Sequence, residues 1–101
     1  MNIEILAVPE CPNLEPAHQL VLQALRAEGA TAHVSVRVLD AQEISGIPSF
    51  AGSPTILVNG RDVDPAAATG CCCRLYANGS GIPDLQSVLA ALRHASAHEV
   101  N

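Results

Sequence analysis

With 101 residues, the chain has the length of one domain, and folding at that size buries roughly 60–65% of the unfolded surface, enough for a core without staples. Its apolar fraction of 49% supports a packed globule, and its aromatic fraction of 2% makes the core aliphatic and leaves few platforms on which bases could stack. The net charge of -5 and five arginines scattered at positions 26, 37, 61, 74 and 93, with no lysine and no basic run, weigh against a nucleic-acid partner.

Met1-Asn2-Ile3-Glu4 carries no basic leader, and the apolar run Ile5–Val8 is too short for the core of a signal peptide. No stretch approaches the ~20 apolar residues of a membrane span. The expectation is a cytoplasmic protein with reduced thiols and no membrane association. Its four cysteines, one alone and three consecutive, do not look like a disulfide framework.

Residues 2–8 are β-rich and stop at Pro9, which predicts a buried strand. Leu14, Ala17, Val21, Ala24 and Leu25 recur at helical spacing, with Glu15, Gln19, Gln23, Arg26 and Glu28 opposite. Pro12 suits a first helical turn and Gly29 a C-terminal cap, so a helix is expected over about 12–29. His33–Asp40 alternates with period two, placing Val34, Val36 and Val38 on one face of a strand. Asp40 and Glu43 form a plausible capping box for a short helix that Gly46 and Pro48 break.

Pro54–Val58 reads as the next strand, Asn59-Gly60 as a type I′ turn, and Arg61–Val63 as the return strand. Residues 64–82 are loop-like. Pro83 and Asp84 open a last helix with its apolar stripe at Leu85, Val88, Leu89 and Leu92, and the tail from about Ala95 is expected to fray. The order is β-α-β-(α)-β-β-α. The expected fold is a single α/β domain over 1–101 with a mixed four-stranded sheet, its first two strands parallel and its last two a hairpin.

Cys11 stands where a strand gives way to a helix, and the free backbone N–H groups of a helix N-terminus favour a thiolate. The neighbouring Glu10 works against a second anion. The competing reading makes Cys11 a small apolar plug at a helix–sheet junction. Ser53-Pro54 enters a strand, where a proline cannot donate to the ladder. A cis bond there would turn a tight loop and expose the Ser53 backbone groups, whereas an ordinary trans proline would have no such role.

Taken together, Glu10-Cys11-Pro12-Asn13, Gly52-Ser53-Pro54-Thr55 running on to Asn59-Gly60-Arg61-Asp62-Val63-Asp64-Pro65, Cys73-Arg74-Leu75-Tyr76, and Gly81-Ile82-Pro83 resemble a bacterial family within the thioredoxin-like superfamily. Its members are labelled thioredoxin-like or, loosely, alkylmercury lyase-like. The resemblance covers nearly the whole chain and implies a thioredoxin-like fold with a cis Pro54. It specifies the family more closely than any activity. One departure matters: the superfamily's dithiol is Cys-x-x-Cys, and here the second position is Leu14. Only monothiol chemistry at Cys11, or a partner thiol from elsewhere, remains.

Cys71-Cys72-Cys73-Arg74 is the candidate source of that partner. If Pro54 lies beside Cys11, the strand after it runs away and the Asn59-Gly60 turn returns the chain toward Cys11. In an extended segment Cys71 and Cys73 share a side that Cys72 does not. Arg74 favours a thiolate at Cys73, and only Cys73-Arg74 matches the family. The bland reading makes all three loop cysteines without a role.

Ordinary zinc pairs use Cys-x2–4-Cys spacing, which three in a row do not give. A soft ion such as Cu(I) or Hg(II) is less demanding, with Cys11, Cys71 and Cys73 as its candidate ligands. The histidines at 18, 33, 94 and 98 show no ligand spacing with the cysteines, and His94 and His98 read as solvated. Asp62 and Asp64 either orient a thiol or blunt an edge strand.

Three functions therefore stand. One is a thiol-dependent redox or transfer protein, with Cys11 and Cys73 catalytic and Ser53, Pro54 and Arg74 contacting a thiol or disulfide substrate. It requires no cofactor. Another is a soft-metal-binding or detoxification module, into which the lyase-like label would fit only if a proton donor stood beside two thiols. The last is a thioredoxin-like interaction domain with an inactive site.

Overall fold

A computed structural model of the chain describes residues 1–47, 50, 52–64, 76 and 80–98. The elements are β1 (Asn2–Ala7), α1 (Leu14–Glu28), β2 (His33–Val38), α2 (Ala41–Ser45), β3 (Thr55–Val58), β4 (Arg61–Asp62) and α3 (Leu85–His98). They follow the expected order. The sheet runs β2-β1-β3-β4, with β1 and β2 parallel and the β1–β3 and β3–β4 pairs antiparallel. The fold is thus α/β with a mixed four-stranded sheet.

The sheet has two covered faces. Ile3, Ile5, Ile56 and Val58 pack with Ala17, Val21 and Ala24 of α1 and Val88 and Leu92 of α3 in the larger core. Leu6, Leu39 and Leu57 point the other way and meet Ile44 of α2 in a smaller one. The alternation of Ile5 with Leu6, and of Ile56 with Leu57, follows from the two-residue period of a strand. A strand between two cores must be apolar throughout, and all four residues of β3 are buried.

Local signals set the ends. Gly29 is left-handed, and its backbone N–H caps α1 on the carbonyls of Arg26 and Leu25. The Asp40 carboxylate accepts from the Glu43 N–H at 2.8 Å while the Glu43 carboxylate accepts from the Asp40 N–H at 3.2 Å, a complete capping box. Asn59 and Gly60 adopt positive φ, 50° and 82°, as a type I′ turn requires. Asn59 also pins that turn to the start of β1: it donates its N–H to the Asn2 carbonyl at 2.7 Å. Its side-chain oxygen accepts from the Asn2 N–H at 2.8 Å.

Two sequence expectations are corrected, and one is refined. Helix α1 starts at Leu14, so Pro12 lies in the preceding turn and Pro16 is the proline of the first helical turn, where a missing N–H has no intrahelical acceptor to lose. In β2 the alternation predicted a strand with its valines on one face, and the structure adds that Val36 and Val38 are 40% and 51% exposed. The strand lies at the sheet edge, and among the described residues α1 and α3 pack mainly on β1 and β3. Finally, the helix does not stop at Ala95: that residue is buried and α3 continues to His98, while the rest of the expected tail, residues 99–101, lies outside the described residues. Among the described residues no helix is long and apolar enough to cross a membrane.

Candidate functional site

One end of the sheet collects the segments that flank Cys11. Strand β1 finishes at Ala7, whose carbonyl accepts from the Leu39 N–H at 2.8 Å, just beyond the end of β2. The next N–H, that of Val8, donates to the Ser53 hydroxyl at 3.1 Å, at the entrance to β3. The Ser53–Pro54 peptide bond is cis, and Gly52 before it has φ of 114°, a conformation suited to glycine. Ser53 and Thr55 are the buried polar residues here, at 1% and 0% exposure. Buried polar groups must be satisfied: Ser53 takes the Val8 N–H, and the Thr55 hydroxyl donates to the Gly52 carbonyl at 2.5 Å.

Tyr76 closes the underside of this loop. Its hydroxyl donates to the Pro54 carbonyl at 2.5 Å, and its N–H donates to the Ser80 carbonyl at 2.9 Å. At 3% exposure, its ring is buried beside a proline that is itself fully buried. The entrance to β3 is therefore held from both sides: Ser53 to the end of β1, Pro54 to Tyr76.

Between β1 and α1 the chain makes a tight excursion that carries the thiol. Glu10 is exposed with φ of 60°, a left-handed conformation that a non-glycine residue adopts at a cost of about 1 kcal/mol or more. Cys11 follows it, half-buried and free. The Cys11 carbonyl then accepts the Leu14 N–H at 3.3 Å, and the Asn13 carbonyl accepts that of Ala17 at 3.0 Å to start α1. The thiol thus precedes the helix by a turn instead of occupying its first residue. Asn13 is the residue before the helix, but its side chain makes no capping bond. Instead it lies against Gly81, where a Cβ would stand 2.9 Å from the Asn13 Cγ. Gly81 is glycine because the Asn13 amide occupies the space a side chain would need.

The structure brings Cys11, Ser53 and Pro54 to the same end of the sheet. Cys71, Cys73 and Arg74 lie outside the described residues, as does Cys72. Among the described residues no group of three or more His, Cys, Asp or Glu side chains gathers as a metal site would require. Asp62 belongs to the edge strand β4, and its carboxylate accepts the Asp64 N–H at 2.9 Å.

Sequence reasoning missed two supports of this end. Tyr76 carried a signal, being one of two aromatic residues in the chain; a lone tyrosine in an aliphatic core usually has a partner for its hydroxyl. The Asn13–Gly81 contact carried none, because neither residue's spacing distinguishes it from turn composition. No protein-family model, no curated protein and no solved structure matches the chain.

Proposed function

We propose that the chain is a thioredoxin-like thiol protein in which Cys11 is the nucleophile toward a disulfide or thiol substrate and Cys73 is its partner thiol. The observation that carries this reading is the position of Cys11. It is a free, half-exposed thiol just past the end of β1, where the Ser53–Pro54 entrance to β3 is tied to that same end through Val8. A structural cysteine would be expected inside one of the two cores; Cys11 belongs to neither. Tyr76 supports the choice of partner. It is held at the Pro54 carbonyl and stands three residues from Cys73, a stretch of chain that spans at most roughly 10 Å.

The chemistry balances with the chain's own thiols. The Cys11 thiolate attacks one sulfur of a substrate disulfide, forming a mixed disulfide and releasing the other sulfur as a thiolate. The Cys73 thiolate then attacks the Cys11 sulfur, releases the second substrate thiolate and leaves a Cys11–Cys73 disulfide. The substrate gains two electrons and the protein loses two; an external dithiol returns them. Ser53 and Pro54 are both buried and hold the β3 entrance at the end of the sheet that carries Cys11 instead of contacting a substrate with their side chains, and Arg74 would favour the attacking thiolate of Cys73.

Reduction of a small aromatic disulfide by the reduced protein tests this reading. Single-turnover release of two thiols per chain is expected from the wild type, one from Cys73→Ser, and none above background from Cys11→Ser. Equal release from Cys11→Ser would overturn it. A second reading, soft-metal binding by Cys11, Cys71 and Cys73, is favoured by the run of three consecutive cysteines. Titration of the reduced protein with Hg(II) or Cu(I), followed by mass and thiolate absorbance, separates it from the first: one ion per chain, lost in Cys11→Ser, is its signature.

A further inference from the structure

At the other end of the sheet, remote from Cys11, a groove of about 830 Å³ runs between β4 and α3. That volume lies in the range of small-molecule sites. Its apolar wall is made by Val63 from the sheet side and Ala90, Ala91 and Ala95 from the helix. Alanines at i, i+1 and i+5 on α3 are what open it: small side chains leave the space that leucines would fill. Two polar groups converge at its rim. The Arg61 guanidinium stands 2.6 Å from the His94 Nε2, and both residues line the groove.

The chemistry of that pair is directional. A guanidinium only donates, so in this contact the His94 Nε2 is the acceptor. Arg61 is thereby oriented by an imidazole. Among the described residues it pairs with no carboxylate, although the chain carries ten acidic residues against five arginines. One of its donors is committed to His94, and the fork retains others for a planar anion. Asp62 lines the same groove, but its carboxylate is engaged by the Asp64 N–H.

We infer that this groove binds a small amphiphile with a carboxylate head and an aliphatic body, the head on Arg61 and the body along Ala90, Ala91 and Val63. A carboxylate matches the guanidinium fork in charge and shape, and the alanine-lined wall offers the body no polar partner. The inference is independent of the thiol chemistry, because the residues it uses lie at the far end of the sheet.

Octanoate is the probe, titrated into the full chain and followed by backbone amide shifts. Saturable shifts are expected at Val63, Ala90, Ala91 and Ala95, with Cys11 and Val8 unmoved. Octan-1-ol, which has the same body without the charge, should bind about tenfold more weakly, as loss of one charge-assisted hydrogen bond implies. Arg61→Gln should weaken octanoate by a similar factor while leaving octan-1-ol unchanged, and His94→Gln, which can still accept from Arg61, should weaken it less. The inference is overturned if octanoate produces no saturable shift in the groove, if octan-1-ol binds as well, or if Arg61→Gln binds octanoate like the wild type. Arg61 and His94 are both exposed, so neither variant is expected to unfold the chain; a wild-type amide spectrum without ligand verifies this.

Discussion

Replacing Tyr76 with Phe removes one oxygen and nothing else from the end of the sheet that carries Cys11. The ring keeps its burial, at 3% exposure in the wild type, so the packing contribution stays in place. What is lost is the bond that the Tyr76 hydroxyl donates at 2.5 Å to the carbonyl of Pro54, a residue less than 2% exposed. The net value of such a bond is about 1 kcal/mol, but an orphaned buried acceptor adds its desolvation penalty, raising the cost to about 1–3 kcal/mol. For a domain of this length that corresponds to a fall in Tm of roughly 5–15 °C. Urea unfolding of the two proteins measures it. The midpoint should fall with the slope unchanged, because both expose the same surface. Tyr76→Ala should cost about 3–5 kcal/mol, since the ring's packing goes too. The reasoning is refuted if Tyr76→Phe matches the wild type to within about 0.3 kcal/mol, a difference typical of surface substitutions.

Gly81→Ala should destabilise the chain by about 1 kcal/mol, at the low end of overpacking costs because an amide side chain can swing aside; Asn13→Ala should remove most of that penalty, and a double-mutant cycle in urea reads the coupling. Asp84 caps α3, its carboxylate accepting from the Ser87 N–H at 2.9 Å, and hydrogen bonds from the Ser87 side chain and backbone hold its pKa below the usual value. A lowered folded value means the cap stabilises α3 above the unfolded aspartate value of about 3.9 and is lost as pH falls through the lower folded one. The Ser87 amide shift, followed from pH 5 downward, should report that transition in the wild type and not in Asp84→Ser, where a hydroxyl caps without titrating.

The order of elements was legible because each signal was local. The helix of Ala17, Val21 and Leu25, the capping box of Asp40 and Glu43, and the Asn59-Gly60 turn each draw on residues a few positions apart. The errors lie where neighbours distant in sequence decide. The valine alternation of β2 correctly marked a strand, but not how open it is: among the described residues α1 and α3 pack mainly on β1 and β3, and Val36 and Val38 are exposed at the sheet edge. Ala95 looked like tail until Leu92 and Ala95 were seen to share the core with α1. At the site, the residue types of Cys11 and Pro54 were readable, but not the bonds that join their segments. Val8 to Ser53 spans 45 positions and Tyr76 to Pro54 spans 22. The Arg61–His94 pair spans 33; His94 is exposed, as the sequence suggested, and the contact with Arg61 is what the sequence did not show.

Mild oxidation of the reduced chain, followed by peptide mapping of the wild type and of the Cys11→Ser and Cys73→Ser variants, tests the central claim most directly. A bridge requires Cα atoms within roughly 7 Å, and adjacent cysteines close only a short, strained ring. The account predicts one dominant disulfide, Cys11–Cys73, absent from both variants. A wild type in which Cys11 stays a free thiol while every bridge forms among Cys71–Cys73 would contradict it.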